Sequence, residues 1–375
     1  LELARQKVDV TLIERDHFGG NASNYSWGGL YPSSGTGIPG PLQSPAKHSL
    51  NLHVTLAQEL REMAGVDVRL RQVESIQLAA DDEELAQLQD QCVWQKATGF
   101  DSEIVSPEDL QRIAPELNFL PVGGLLQRSH YELDSSTFTH GLASRAKQLG
   151  VNIFAGNVVR VDGSGTSVSV TTQKGDLLSA GALVIATGPQ AGLIEIEGLP
   201  QMPLRPVKGE ILRLRVPGDR FERRLGMGTI NAGRKPDGLV WVGTTEENVY
   251  ENEAPSESGA YMILDMAARY TSMLRNAPIE HHTACLRPVS RDGLPIVGPL
   301  GARVHVWLLR QLLRAEADHA SNLDREARRR PPRPDLAPPG RERWSRCSGW
   351  RGRPPRSTRP PATSACRAPG CRRPS

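Results

Sequence analysis

Apolar positions change period several times along the chain, and each change marks an element. Val8-Asp9-Val10-Thr11-Leu12-Ile13-Glu14-Arg15 reads as a buried strand ending in an acid, and Leu1 to Lys7 before it as the last turns of a helix. A loop of small residues follows, from Gly19-Gly20-Asn21-Ala22-Ser23 through Trp27-Gly28-Gly29-Leu30. Leu52, Leu56, Leu60 and Met63 then recur at helical spacing and predict a helix ending near Gly65. Ser75 to Ala80 reads as a strand, with an acidic helix starting at Asp81. Ser106-Pro107-Glu108-Asp109 is a helix start, with a capping hydroxyl and Pro at the first helical position. Asp134 is expected to cap a helix that buries Phe138, Leu142 and Leu149 and stops at Gly150.

Beyond Val151 the period falls to two. Asn152–Phe154, Val158–Val161 and Ser167–Val170 alternate as a half-exposed antiparallel meander would. Ala182-Leu-Val-Ile-Ala186 is a continuous apolar run, expected to be a fully buried strand, and it ends in the tight turn Thr187-Gly188. Strands are expected again at Lys208 to Leu214 and Gly238 to Gly243. A helix around Ala260–Leu274 should bury Ile263, Met266, Ala267, Tyr270 and Leu274.

Composition divides the chain. From Gly301 onward there are 18 Arg and 6 acids, against 27 basic and 36 acidic side chains before it, so an acidic body carries a basic tail. The body gives no case for nucleic acid. Beyond about Asn322 the tail, rich in Arg and Pro, cannot bury enough apolar surface to offset its ordering entropy and is expected to be disordered. Its abrupt onset is what a shifted reading frame would produce. Cys92 and Cys285 are far apart, which gives no disulfide framework and suits a reducing cytoplasm. The apolar runs are strand-sized, so no membrane span is expected. His281-His282 makes a poor metal pair, because neighbours on a strand point to opposite faces; no metal site is expected. His130-Tyr131 is read as a solvated loop.

Three segments carry chemistry. A strand ending in Glu14 is either a solvated strand end or the acid that takes ribose hydroxyls in a dinucleotide-binding βαβ unit. On the second reading the chain opens midway through the unit, after the Gly-rich turn. Ala182–Gly188 is either a buried parallel strand of no special role or a second strand and turn beside a cofactor. Arg287, in Leu286-Arg-Pro-Val-Ser-Arg-Asp-Gly-Leu-Pro-Ile-Val-Gly-Pro299, has the fork to clamp a carboxylate through two parallel hydrogen bonds, or makes a surface ion pair. A nicotinamide-linked dehydrogenase would explain Glu14 and leave the other two segments unexplained.

In this order and spacing, the three segments resemble the D-amino-acid oxidase superfamily of FAD enzymes, in the glycine oxidase, sarcosine oxidase and amino-acid dehydrogenase branch. The likeness runs from residue 1 to about Pro299. It implies an α/β fold in which an incomplete Rossmann-like FAD domain (1–68, 137–200 and 285–320) interleaves with a mixed-sheet α+β substrate domain (69–136 and 201–284), with 321–375 a disordered basic tail. It implies that Glu14, with Arg15 beside it, binds the adenosine ribose. Ala22, Ser23, Trp27, Gly28 and Gly29 would wrap the pyrophosphate and flavin, where small residues let the backbone approach closely. Val158 would meet the adenine through its backbone, and Thr187 and Gly188 would close over the cofactor. Arg287 would pair with the substrate carboxylate, while Lys208 is architectural.

The reaction implied is hydride transfer from the Cα of a small amine or amino acid to flavin N5, with no catalytic side chain needed. The imino acid formed then hydrolyses to an oxo acid and ammonia or amine. FAD is expected to be noncovalent, with oxygen or another acceptor taking the electrons and a homo-oligomer compatible with the chain. The loop Asn24–Pro32, with Gly35 to Gly40, departs from the Ala-rich run of glycine oxidases toward opine oxidase and hydroxyproline dehydrogenase relatives, which puts glycine in doubt as substrate. The alternative expectation is an inactive fragment that no longer holds FAD.

Overall fold

The computed structural model describes residues 1–119, 121–163, 167–198, 202–248, 253–300 and 303–308. All of them fall within one unit, Leu1–Pro332; the tail expected to be disordered lies outside the described residues. Half of the described strands join one mixed sheet. Its order is Ile279–Ser290, Leu204–Leu214, Val240–Gly243, Ile230–Arg234, Arg224–Met227, Arg71–Ala79, Gly123–Glu132 and Gly29–Leu30, with Ser102–Val105 also paired to Gly123–Glu132. Neighbours are antiparallel except Arg224–Met227 on Arg71–Ala79. Three smaller sheets lie outside it. Thr11–Glu14 pairs in parallel with Asn152–Ala155. Leu183–Ile185 pairs in parallel with Val304–Leu308, which pairs antiparallel with Ile296–Pro299. Val158–Asp162, Val168–Thr172 and Leu177–Ala180 form a meander, with Glu195–Ile196 parallel to the first.

The helices begin and end where side chains satisfy their free backbone groups. Asp81 accepts from Glu84 N at 2.9 Å, Ser106 from Asp109 N at 3.2 Å and Asp134 from Thr137 N at 2.8 Å, each cap being worth about 1 kcal/mol. These open the helices Asp82–Ala97, Pro107–Ile113 and Ser135–Gln148. The helix Gln43–Ala64 stops at Gly65, which takes the left-handed conformation (φ 67°). Leu60 anchors it against Val66, Phe138 and Leu142, so it packs on the helix Ser135–Gln148. In the helix Glu257–Ala268, Ile263 and Ala267 are buried, while Met266 reaches a cavity.

Four expectations need correction. Asn152–Ala155 does not join the antiparallel meander; it follows a helix and returns beside Thr11–Glu14 in parallel, as a crossover connection allows. The opening strand is not fully buried: Leu12 is 37% exposed, because Thr11–Glu14 has a strand on one side only among the described residues. Val184, in the run expected to be fully buried, is 47% exposed for the same reason. His130 is not in a solvated loop. The strand Gly123–Glu132 runs on through it, and its ring is 0% exposed between Ser33 Oγ (2.8 Å) and Ser75 Oγ (2.7 Å).

Candidate functional site

A cavity of about 1080 Å³ lies over the large sheet. Its walls come from that sheet, from the loop around residues 22–31, and from the helices Gln43–Ala64, Ser135–Gln148 and Glu257–Ala268. Alternation decides which residues face it. On Leu204–Leu214, Gly209 and Ile211 line the cavity, whereas Lys208 and Glu210 point to the other face.

Arg287 lies on the cavity wall and is 3% exposed. Its strand pairs it with Val207, so its side chain passes over the neighbouring Gly209. A Cβ built on Gly209 would stand 1.7 Å from Arg287 Nη2, so only glycine leaves room for the guanidinium there. Arg287 Nη2 donates to Thr244 Oγ1 at 2.5 Å and Nη1 to the Thr245 carbonyl at 3.2 Å. Both acceptors directly follow the strand Val240–Gly243, so the sheet fixes where the charge sits.

Behind this wall, Lys208 Nζ lies 2.7 Å from Glu210 Oε1, and His282 Nε2 lies 2.6 Å from Glu210 Oε2. Ser256 donates to the same carboxylate through its hydroxyl at 2.8 Å. Burial alone would raise the Glu210 carboxyl, but the hydrogen bonds from His282, Lys208 and Ser256 outweigh it and hold the pKa at about 2. Lys208 is thus placed in the support of the sheet, facing away from the cavity. The partner of His282 is a carboxylate 72 residues away, which the spacing around His281-His282 could not show.

A second buried network holds the loop. Trp27 Nε1 donates to Glu132 Oε1 at 2.7 Å, and Tyr31 donates its hydroxyl to the same oxygen at 3.1 Å. Lys235 Nζ pairs with Glu132 Oε2 at 2.8 Å and donates to the Trp27 carbonyl at 2.8 Å. One lysine therefore ties the Trp27 backbone to the carboxylate that also receives the Trp27 ring. Burial works against the Glu132 charge, yet Lys235, Trp27 and Arg224 keep its pKa below the usual carboxylate range. Gly28 (φ 75°) passes so close to the sheet that a Cβ there would meet the Leu133 carbonyl oxygen at 2.0 Å.

The structure sorts the expected site residues into two groups. Ala22, Ser23, Trp27, Gly28, Gly29 and Arg287 line the cavity together. Glu14, Arg15, Val158, Thr187 and Gly188 lie outside that lining. Glu14 accepts from Asp16 N at 3.0 Å, and Arg15 pairs with Asp16 at 2.8 Å on the surface. The Glu14 carbonyl accepts from Gly156 N at 2.9 Å, two residues before Val158. Ile13, Val158 and Ile185 share one core cluster, and Thr187 and Gly188 (φ 60°) follow Ile185 directly. The second group therefore gathers at the ends of the smaller sheets. Gly209, Thr244, Thr245, Glu132, Lys235 and Arg224 were not expected at the site. Of these only Gly209 left a signal, as a glycine inside an otherwise regular strand.

A family model described as FAD dependent oxidoreductase (DAO) matches residues 1–312. The chain belongs to this DAO family of FAD-dependent oxidoreductases, a family of enzymes acting on C–N donors, and FAD is its cofactor. It is 25% identical over 303 residues to a glycine oxidase of Geobacillus kaustophilus, covering 79% of each chain. It is 27% identical over 326 residues to a glycine oxidase of Pseudomonas aeruginosa, covering 82% of this chain and 84% of the relative. The solved structure of glycine oxidase from Geobacillus kaustophilus superposes with a TM-score of 0.77 at 24% identity, over 82% of this chain and 84% of that one, which shows the shared α/β fold. Among the described residues no helix is long and apolar enough to cross a membrane.

Proposed function

We propose that the chain oxidises a small amine or amino acid that carries a carboxylate, and that Arg287 holds this carboxylate. The observation that carries the reading is the Arg287 guanidinium on the cavity wall, oriented by Thr244 and Thr245 over Gly209. The residues present fit a flavin. The cavity, about 1080 Å³, is slightly above the roughly 300–1,000 Å³ usual for ligand pockets, which leaves room for a ring system and a substrate together. Ala22, Ser23, Gly28 and Gly29 expose backbone rather than bulky side chains along its edge. Glu14, Val158, Thr187 and Gly188, at the strand ends, would hold the adenosine end, and no covalent link is needed.

Bound FAD supplies the redox chemistry, a two-electron oxidation of a C–N donor with oxygen or another acceptor taking the electrons. The protein's part is positional. A charge-assisted hydrogen bond from the guanidinium of Arg287 fixes the substrate by its carboxylate and so limits the direction of its Cα–H bond. The walls formed by Ile211, Ile230, Met262 and Met266 exclude water, and desolvation favours the neutral amine, whose lone pair the reaction needs. The Cα–H bond breaks, its electron pair leaves with the hydrogen as hydride, and a C=N bond forms. Water then hydrolyses the imino acid to an oxo acid and ammonia or amine. No side chain is required as base. On this reading the large sheet, drawn mainly from residues 69–136 and 201–284, lies on the substrate side.

The test is to purify the full chain with FAD added, record the visible flavin band, and follow its anaerobic bleaching with a panel of amines and amino acids. The expected result is a yellow protein bleached by carboxylated amines, with bleaching weakened in Arg287→Ala at unchanged flavin content. A colourless chain that cannot be reconstituted favours the inactive-fragment alternative. Equal bleaching in Arg287→Ala removes its role.

A further inference from the structure

Arg287 meets Thr244 and Thr245 across an intervening strand. Ile279–Ser290 and Val240–Gly243 flank Leu204–Leu214 on opposite sides, so the guanidinium crosses over Gly209 to reach the residues that follow Gly243. Carbonyls in a regular antiparallel ladder point within the sheet at the neighbouring strands. A carbonyl that receives a guanidinium from above the sheet has to be turned out of that plane.

The register shows what turns it. Gly243 pairs with Ile211, and Glu247 forms an antiparallel bridge with Lys208. Three residue steps on one strand therefore face four on the other, a β-bulge at residues 244–246. Backbone bonds between Lys208 and Glu247, both 2.9 Å, close its far end. Inside the bulge, Glu210 N donates to the Thr245 hydroxyl at 3.1 Å. That hydroxyl donates onward to Glu247 Oε1 at 3.1 Å, and Lys208 Nζ lies 3.8 Å from Glu247 Oε2. Thr245 and Glu210 are both buried. Without the hydroxyl, a buried backbone N–H would lose its acceptor, a cost that favours regular pairing over the bulge.

We infer that Thr245 is a positioning residue for Arg287, its hydroxyl closing the bulge that aims the Thr244 hydroxyl and the Thr245 carbonyl at the guanidinium. Glu247 holds the Thr245 hydroxyl from behind, so it acts on Arg287 at one further remove. That the aimed guanidinium meets a substrate carboxylate rests on the amine-oxidation reading above; the positioning does not.

Chemical modification reads the placement without a substrate. The full chain with FAD added is treated with phenylglyoxal, which reacts with guanidinium groups, and modification is followed residue by residue by mass spectrometry. Thr245→Val keeps the branched shape and removes the hydroxyl. Arg287 is expected to react roughly tenfold faster in it, the effect of about one hydrogen bond to a charged group. Thr245→Ser, which keeps the hydroxyl, should react at the wild-type rate. Arg234, held by the carbonyls of Arg220, Gly238, Val216 and Gly218, is the internal control and should not change. Propionate affinity, measured by calorimetry, should fall in parallel with the release of Arg287. A wild-type rate at Arg287 in Thr245→Val, an acceleration shared by Thr245→Ser, or an equal acceleration at Arg234 overturns the inference. Should Thr245→Val fail to fold, Glu247→Ala removes the acceptor of the hydroxyl at a partly exposed side chain and is judged by the rates at Arg287 and Arg234 in the same way. If Arg287 is released but propionate binds the wild type and Arg287→Ala alike, the carboxylate reading falls and the positioning stands.

Discussion

Gly209→Ala is a small change with a specific expected consequence. Gly209 lies inside the strand Leu204–Leu214 and is not in the left-handed region, so alanine fits its backbone. In a strand interior that exchange favours folding by roughly 0.5–1 kcal/mol. The new Cβ, however, would stand 1.7 Å from Arg287 Nη2 and 2.2 Å from its Cζ, well inside contact distance. The flexible end of Arg287 must move, which breaks its hydrogen bonds to Thr244 and Thr245 and displaces it from the substrate carboxylate. A hydrogen bond to a charged group contributes about 1.5–3 kcal/mol, so KM for a carboxylated amine should rise roughly 10- to 100-fold. The assay is steady-state turnover with the best substrate of the panel, alongside a thermal melt and the flavin band. Melting and flavin content should stay near wild type. On an Arg287→Ala background the same change should add little, since both act through one group. An unchanged KM in Gly209→Ala, or an equal further rise on that background, would refute the reasoning.

Two further expectations concern the buried networks. Glu132→Gln leaves Lys235 and Arg71 without their carboxylate and should lower stability by about 3–5 kcal/mol, read as a lower melting temperature, whereas Arg61→Ala, which breaks an exposed pair with Asp67, should leave the melting temperature nearly unchanged. Equal effects of the two would show that the Glu132 network does not hold the loop. For Glu210, the folded pKa of about 2 lies below the ordinary value of 4.5, so its ionised form stabilises the fold above the ordinary value, and this contribution is lost as pH falls from 4.5 toward 2. Denaturation midpoints should therefore decline across that window in the wild type, and the decline should be shallower in Glu210→Gln; parallel curves would count against the assignment.

The sequence made local features legible. Ser106 and Asp134 are caps where the pattern placed them, because capping is decided within four residues, and the acidic helix expected from Asp81 begins there with Asp81 as its cap. The small-residue loop and Arg287 line one cavity. What the pattern could not show is pairing over distance. Asn152–Ala155 alternates like a meander strand, yet its partner lies some 140 residues earlier, and nothing in its own residues says so. His130 is polar and sits next to Tyr131 and Glu132, which reads as solvated; its burial depends on hydroxyls 55 and 97 residues away. Arg224 lies in a charged run, Glu222-Arg223-Arg224, where one guanidinium looks like any other. Only the sheet turns it toward the cavity while Arg223 pairs with Glu74 on the other side.

The route by which the large sheet closes has a kinetic consequence. Its one parallel junction joins Arg71–Ala79 to Arg224–Met227, strands whose side chains meet across 149 residues of sequence. Contacts of that separation form late, since the entropy of closing so long a loop must be met before the pairing returns anything. The cavity spans this junction, with Gln77 on one side and Arg224 on the other. It is therefore expected to form only once this junction has closed, so a partly folded chain that lacks the junction has no complete cavity. A cofactor that binds there selects the finished sheet alone, so saturating FAD should deepen the native well by mass action and protect the folded chain against proteases in proportion to cofactor supply.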